Sequence, residues 1–153
     1  MPDLIIHQGA IYSDKGWYDP GYLVIQDQVI SQISPGQAPE NLLRSASKVI
    51  SAKKQAVIPG LTNAHTHLSQ VFMRGLAGGK GLLDWLREIV WPIQQVISPE
   101  DMYLAAQLGL AENIRCGVTD VVDHHKITGT PQHTDMVLKA AAEAGLNFRL
   151  ARS

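Results

Sequence analysis

The rhythm of apolar and polar positions changes once along the chain. Up to about Val57 the apolar residues come in short β-branched and aromatic runs, "DLIIHQGAIYSD", "GYLVIQDQVISQIS" and "SKVISAKKQAVIPG", separated by Gly, Pro and Asp. Runs of this kind between turn residues predict strands. Their imperfect alternation fits a small antiparallel layer with one wet face, and "PGQAPENLL" reads as a loop within it. Past Pro59-Gly60 the period lengthens. "LTNAHTH" is short enough for a strand. In "GLLDWLREIVWPIQQVI" apolar residues recur at Leu82, Leu83, Leu86, Ile89 and Val90, the spacing of one helix face. Pro92 is expected to interrupt or kink that helix.

A cleaner helix follows. Ser98 suits the N-cap, Pro99 the first helical position, and Asp101 completes a capping-box-like start. Leu104, Leu108, Ala111 and Ile114 then fall on one face, and Gly117 is placed to end the helix in a left-handed turn. "VTDVVDHH" reads as a buried strand. The unit then repeats, with Thr134 as cap, an Ala-rich helix, Gly145 as stop and "NFRLAR" as strand. Strands alternating with helices imply parallel pairing and right-handed crossovers. The strand running into Ser153 has nothing to cover it, a poor place for a domain to stop.

Composition narrows the class. A chain of 153 residues, 45% hydrophobic and 18% charged, has the balance of a globular protein rather than a disordered one. Thirteen basic against fourteen acidic residues leave no basic stripe for nucleic acid or an anionic membrane. The N-terminus lacks the features of a secretory signal, no apolar run is long enough to span a bilayer, and one cysteine excludes an internal disulfide framework. The expectation is a cytoplasmic protein with no nucleic-acid or membrane partner. Cys116 reads as a small buried residue.

The candidate chemistry lies in "VIPGLTNAHTHLSQ". On an extended backbone His65 and His67 share a face, with Cα atoms roughly 6.6 Å apart. Two imidazoles can then lean onto one ion at about 2.0–2.1 Å per bond. Chance alone gives about 0.2 such pairs in a chain with six histidines, so the bare spacing leaves open two hydrogen-bonded loop histidines. Position adds weight: the pair ends a strand, where parallel α/β folds place their chemistry. Of the adjacent His124 and His125, at most one faces the same interior. Asp120 and Asp123 are candidates to orient a histidine or to serve as turn residues. His133 and His7 are not expected to bind metal, and Trp85 and Trp91 read as core or lid packing.

"VIPGLTNAHTHLSQVFMRGL" resembles the start of the catalytic barrel in the amidohydrolase superfamily, whose first strand carries a His-x-His metal pair. "LLDWLREIVWP", "NIRCGVTDVVDHH" and "AAAEAGLNFRLARS" resemble the segments that follow in the branch acting on nitrogen heterocycles. That branch holds the methylthioadenosine/S-adenosylhomocysteine deaminases, 8-oxoguanine deaminase and the triazine hydrolases. The resemblance implies an α/β fold. Residues 1–57 would form part of a small β-sandwich, and residues 58–153 the first strands and helices of an incomplete TIM-type (β/α)8 barrel.

By the same resemblance His65 and His67 would be metal ligands, and Gln70, Trp85 and His125 would contact substrate; Arg74 would stand at the mouth of the site, with a purely structural role as the alternative. One divalent ion is implied, zinc first and iron as the alternative. Asn63-Ala64 stand where dinuclear relatives carry an Asp, which favours the one-metal deaminase branch. Leu83 replaces an acidic residue that binds the sugar in some nucleoside deaminases. The remaining ligands and the proton-shuttling glutamate of the family sit on later strands, so no catalytic residue is expected within this chain. It would be the first third of an aminohydrolase that attacks the exocyclic amino or comparable leaving group of a purine, pyrimidine or s-triazine with metal-activated water. Alone, it is expected to be inactive and to bind zinc weakly. Homo-oligomerisation is left open for the complete enzyme. The alternatives are a non-catalytic piece that keeps the scaffold, and a relative of imidazolonepropionase or cytosine deaminase.

Overall fold

The computed structural model describes residues 1–126 and 130–152. Positions 127–129 of the expected polar loop, and Ser153, lie outside the described residues. The chain divides into two compact units, Met1–Pro59 and Gly60–Ser153.

In the first unit β1 (Leu4–Ser13), β2 (Gly16–Gln26) and β3 (Val29–Pro35) are antiparallel neighbours. Asp27 and Gln28 turn the second hairpin with φ of 52° and 63°, the positive values a two-residue hairpin loop requires. These three strands form the expected antiparallel layer, and β4 (Lys48–Ser51) and β5 (Ala56–Val57) add to it by pairing parallel to β1. Parallel neighbours need a crossover. The segment expected to be a loop supplies it as α1 (Glu40–Ser45), whose Leu42 and Leu43 pack on Ile5, Tyr22 and Val24.

The second unit is a parallel sheet in the order β6-β7-β8, formed by β6 (Leu61–Thr66), β7 (Val118–His125) and β8 (Asn147–Arg152). A 3-10 helix (Leu68–Met73), α2 (Leu82–Trp85), a π-helical stretch (Leu86–Val90), α3 (Trp91–Val96) and α4 (Pro99–Arg115) separate β6 from β7. Next, α5 (Pro131–Ala144) leads to β8. The fold is mixed α/β. No helix of the described residues is long and apolar enough to cross a membrane.

Pro92 does not break the helix before it. The turn widens to π geometry over Leu86–Val90, and Pro92 falls in the first turn of α3, where its missing N–H costs little. Helix α4 begins as expected, with Asp101 N–H donating to Ser98 Oγ at 3.1 Å and Ser98 N–H donating back to Asp101 Oδ2 at 3.0 Å. Its buried face is not the expected one. Met102, Ala105, Ala106, Gly109 and Leu110 are buried, while Leu104, Leu108 and Ile114 are exposed. Small residues bring α4 close: a Cβ on Gly109 would sit 2.7 Å from Leu68 Cδ2.

Helix α5 starts earlier than expected, with Thr130 as N-cap and Pro131 in its first turn. His133 Nδ1 accepts from the Thr130 N–H at 3.2 Å, while Nε2 donates to the Ile97 carbonyl at 2.9 Å. This histidine is committed to the backbone. Cys116 is exposed rather than buried, because it caps α4 just before Gly117 turns the chain at φ 76°.

Candidate metal centre

The pairing of β6 with β7 shifts register twice, β7 running one residue ahead between Leu61 and Thr62 and β6 recovering it between Asn63 and Thr66. Asn63 pairs with Val121 and Thr66 with Asp123, so three steps on β6 face two on β7. This is a β-bulge, a device that re-aims a side chain at a strand end. Asn63 organises it from the helix side. Its Nδ2 donates to Asn113 Oδ1 of α4 at 2.9 Å, and its Oδ1 accepts from the His65 N–H at 3.3 Å. His67 follows the last strand residue, with φ −127° and ψ 89°, and leads into the 3-10 helix. The rings of His65 and His67 come to rest with centroids 4.8 Å apart and planes at 84°.

A third imidazole joins them from β7. The His124 centroid lies 5.6 Å from that of His65 and 5.1 Å from that of His67. One ligand nitrogen from each of the three falls within 4.8 Å of the others. His67 Nδ1 is 2.7 Å from the His124 carbonyl oxygen. A carbonyl can only accept, so Nδ1 carries the proton and Nε2 is left with its lone pair. The Leu68 N–H donates to Asp123 Oδ1 at 2.9 Å. Consecutive residues of β7 thus hold the His67 ring and the peptide that follows it.

Electrostatics follow from these positions. Desolvation holds the His124 imidazole below the usual histidine value, with His67, Lys126 and His65 adding to the effect. Burial raises the Asp123 carboxyl, opposed by its bond from Leu68 and the nearby His67.

A cavity of about 420 Å³ opens over the three histidines. Gln70 and Trp85 line it, as do Trp91, Gln94 and Lys126. The structure therefore brings His65, His67, Gln70 and Trp85 together. His125 is not among them, and the expectation that it looks toward this site needs correcting. It is buried at 2% exposure, with Nε2 3.2 Å from Thr134 Oγ1 and Nδ1 3.7 Å from Asp123 Oδ2. Strand alternation explains the exchange: Val121, Asp123 and His125 share the buried side of β7, which leaves His124 on the other. Sequence reasoning missed His124 because "DHH" offers one histidine to each face and nothing local picks between them.

Arg74 is engaged elsewhere. Its Nη1 donates to both carboxylate oxygens of Glu112 on α4, at 2.6 and 2.7 Å. Trp85 Nε1 is buried without a hydrogen-bond partner among the described residues. No carboxylate is among the described residues that line the histidine cavity.

The amidohydrolase family model matches residues 56–153. The chain is 38% identical over 144 residues to the 5-methylthioadenosine/S-adenosylhomocysteine deaminase of Pyrococcus furiosus, covering 94% of this chain and 32% of that one. Among solved structures it resembles a zinc-bound adenosine deaminase from Xanthomonas campestris, with TM-score 0.82 and 25% identity over 96% of this chain and 33% of that one. It shares its fold with a zinc complex of atrazine chlorohydrolase from Arthrobacter aurescens, with TM-score 0.80 and 21% identity over 97% of this chain and 35% of that one. The chain spans about a third of the length of these relatives. With the family model matching well over half of its residues, the chain belongs to the amidohydrolase family.

Proposed function

We propose that this chain carries the opening metal-binding strands of an aminohydrolase that removes the exocyclic amino group, or a comparable leaving group, from a nitrogen heterocycle. The carrying observation is the side-by-side presentation of His65 and His67, with His67 Nε2 freed as a donor by the bond from Nδ1 to the His124 carbonyl. Imidazole nitrogens suit zinc, and ferrous iron as well, so the donor set fits the ion implied by the family. When bound, such an ion supplies Lewis acidity and activates water for hydrolysis near neutral pH.

The chain's own residues bind and orient. Gln70, on the first turn after the histidines, offers an amide donor and acceptor to the polar edge of a heterocycle. Trp85 offers a flat apolar face and a buried N–H with no hydrogen-bond partner among the described residues. Proton transfer between water and leaving group requires a group such as a carboxylate, and the cavity lining has none among the described residues. Binding and orientation are therefore assigned to this chain. Turnover is assigned to a barrel with its remaining strands.

The test is a chimera in which these 153 residues replace the matching third of the Pyrococcus furiosus relative. Ammonia release is measured on aminopurine nucleosides, aminopyrimidines and aminotriazines. Hydrolysis of at least one class, abolished by His65→Ala or His67→Ala, is expected. A folded, metal-loaded chimera inert toward all three classes would overturn the reading.

A further inference from the structure

We propose that His124 is a third metal-holding imidazole, so that this chain alone binds one divalent transition-metal ion between His65, His67 and His124. This rests on the metal-pair reading above but extends it to a residue on a different strand.

Geometry carries the proposal. Three imidazoles on one tetrahedral ion at about 2.0–2.1 Å per bond put their nitrogens roughly 3.3 Å apart. Here one nitrogen from each ring already lies within 4.8 Å of the other two. Closing the remainder takes small side-chain rotations, and none of the three histidines is tightly packed: His65 is exposed, His67 and His124 half-buried.

The backbone makes the trio one unit. The His124 carbonyl accepts from His67 Nδ1, so the residue that offers the third ring also fixes the tautomer of the second. Asp123, beside it, holds the Leu68 N–H. A ligand set drawn from two strands is thereby tied at the point where the strands meet. Three protein donors and an open position are the usual complement of a catalytic zinc site. Two adjacent donors on one strand, which is all the spacing of His65 and His67 offers, fall short of that number. The third ring changes the expectation of weak zinc binding to one of stoichiometric binding.

The experiment titrates the purified chain with zinc in competition with a chromophoric chelator, and separately with cobalt(II), followed by its visible spectrum. One equivalent is expected to bind, with cobalt absorption typical of four or five ligands. His124→Ala and His124→Asn should each weaken binding at least tenfold, while His7→Ala leaves it unchanged. Should both His124 variants unfold, proton NMR of the wild-type cobalt complex decides, because ligand imidazoles give strongly shifted signals. Three shifted rings support the proposal and two overturn it. Wild-type affinity and spectrum in folded His124 variants would also overturn it, and so would a wild-type chain that takes up no metal. Each of these leaves the metal pair standing, since that is tested in the chimera by His65→Ala and His67→Ala.

Discussion

The two histidine pairs of this chain differ by one intervening residue, and that residue decides their use. His65 and His67 flank Thr66 and meet over a common cavity. His124 and His125 are adjacent, so alternation sends one to that cavity and buries the other beneath α5 beside Thr134. Yet strict alternation does not describe β6 either. The bulge between Asn63 and Thr66 adds a residue, and Asn63 holds the His65 N–H while anchored to α4. The lesson is that spacing gives a pair its chance to share a face, while irregular backbone and its side-chain anchors decide what the rings meet.

Removing a ring on the cavity side should have the largest effect. His67→Ala deletes a donor and the bond to the His124 carbonyl together. Zinc affinity of the chain is expected to fall about 100-fold or more, as read by chelator competition. Unchanged affinity would dissolve the distinction between the two pairs.

The β7 pair separates stability from metal binding. His125→Ala opens space in a buried site and removes a side chain with polar neighbours. It should cost about 2–3 kcal/mol in urea unfolding and leave metal affinity intact. His124→Ala should do the reverse, with stability in the absence of metal changed by less than about 0.5 kcal/mol. If the two variants exchanged these effects, the orientation of β7 would be reversed.

Asp123 touches both sides of the comparison, since its Oδ1 holds Leu68 N–H while Oδ2 lies toward His125. Asp123→Ala leaves a buried N–H unpaired, at a cost of about 1–2 kcal/mol, and should weaken zinc binding about tenfold by releasing the peptide after His67. Asp123→Asn keeps an acceptor for Leu68 and should retain most of both. Equal losses in the two variants, measured by urea midpoints and chelator competition, would show that charge rather than the bond to Leu68 matters.

The sequence made some of this legible. Caps are local, so Ser98, Gly117 and Gly145 could be read from neighbours alone, and the stretch holding His65 and His67 begins just after the recognisable Pro59-Gly60 break. What escaped is tertiary. The inner face of α4 sets Ala105, Ala106 and Gly109 between Met102 and Leu110, the glycine where the helix approaches Leu68 closely, and Leu104 and Leu108 disguise it. Thr130 rather than Thr134 caps α5, its partner His133 being held by the distant Ile97 carbonyl. Pro92 is absorbed by a widened turn. His124 needed the phase of β7, which is fixed by the packing of Val121 and Asp123 and not by any residue of "DHH".

The smallest effect lies away from both pairs and serves as their control. Asp101 accepts from Ser98 N at 3.0 Å and from Ser98 Oγ at 2.7 Å, and these bonds hold its carboxyl below the usual value. A carboxyl depressed in the folded state contributes stability above its unfolded pKa, roughly 4, and loses it as pH falls through the lower, folded value. Asp101→Asn should therefore lower the melting temperature slightly at pH 7, with the gap closing toward pH 2. Ser98→Ala removes the cap from the other side and should cost about 1 kcal/mol. Neither substitution should alter zinc affinity, because helix start and strand end are stabilised by separate local bonds. A gap that widened with acid would reverse the sign of the Asp101 contribution. A loss of zinc binding in either variant would mean that the metal site depends on the whole helix and not on the strand ends that hold its ligands.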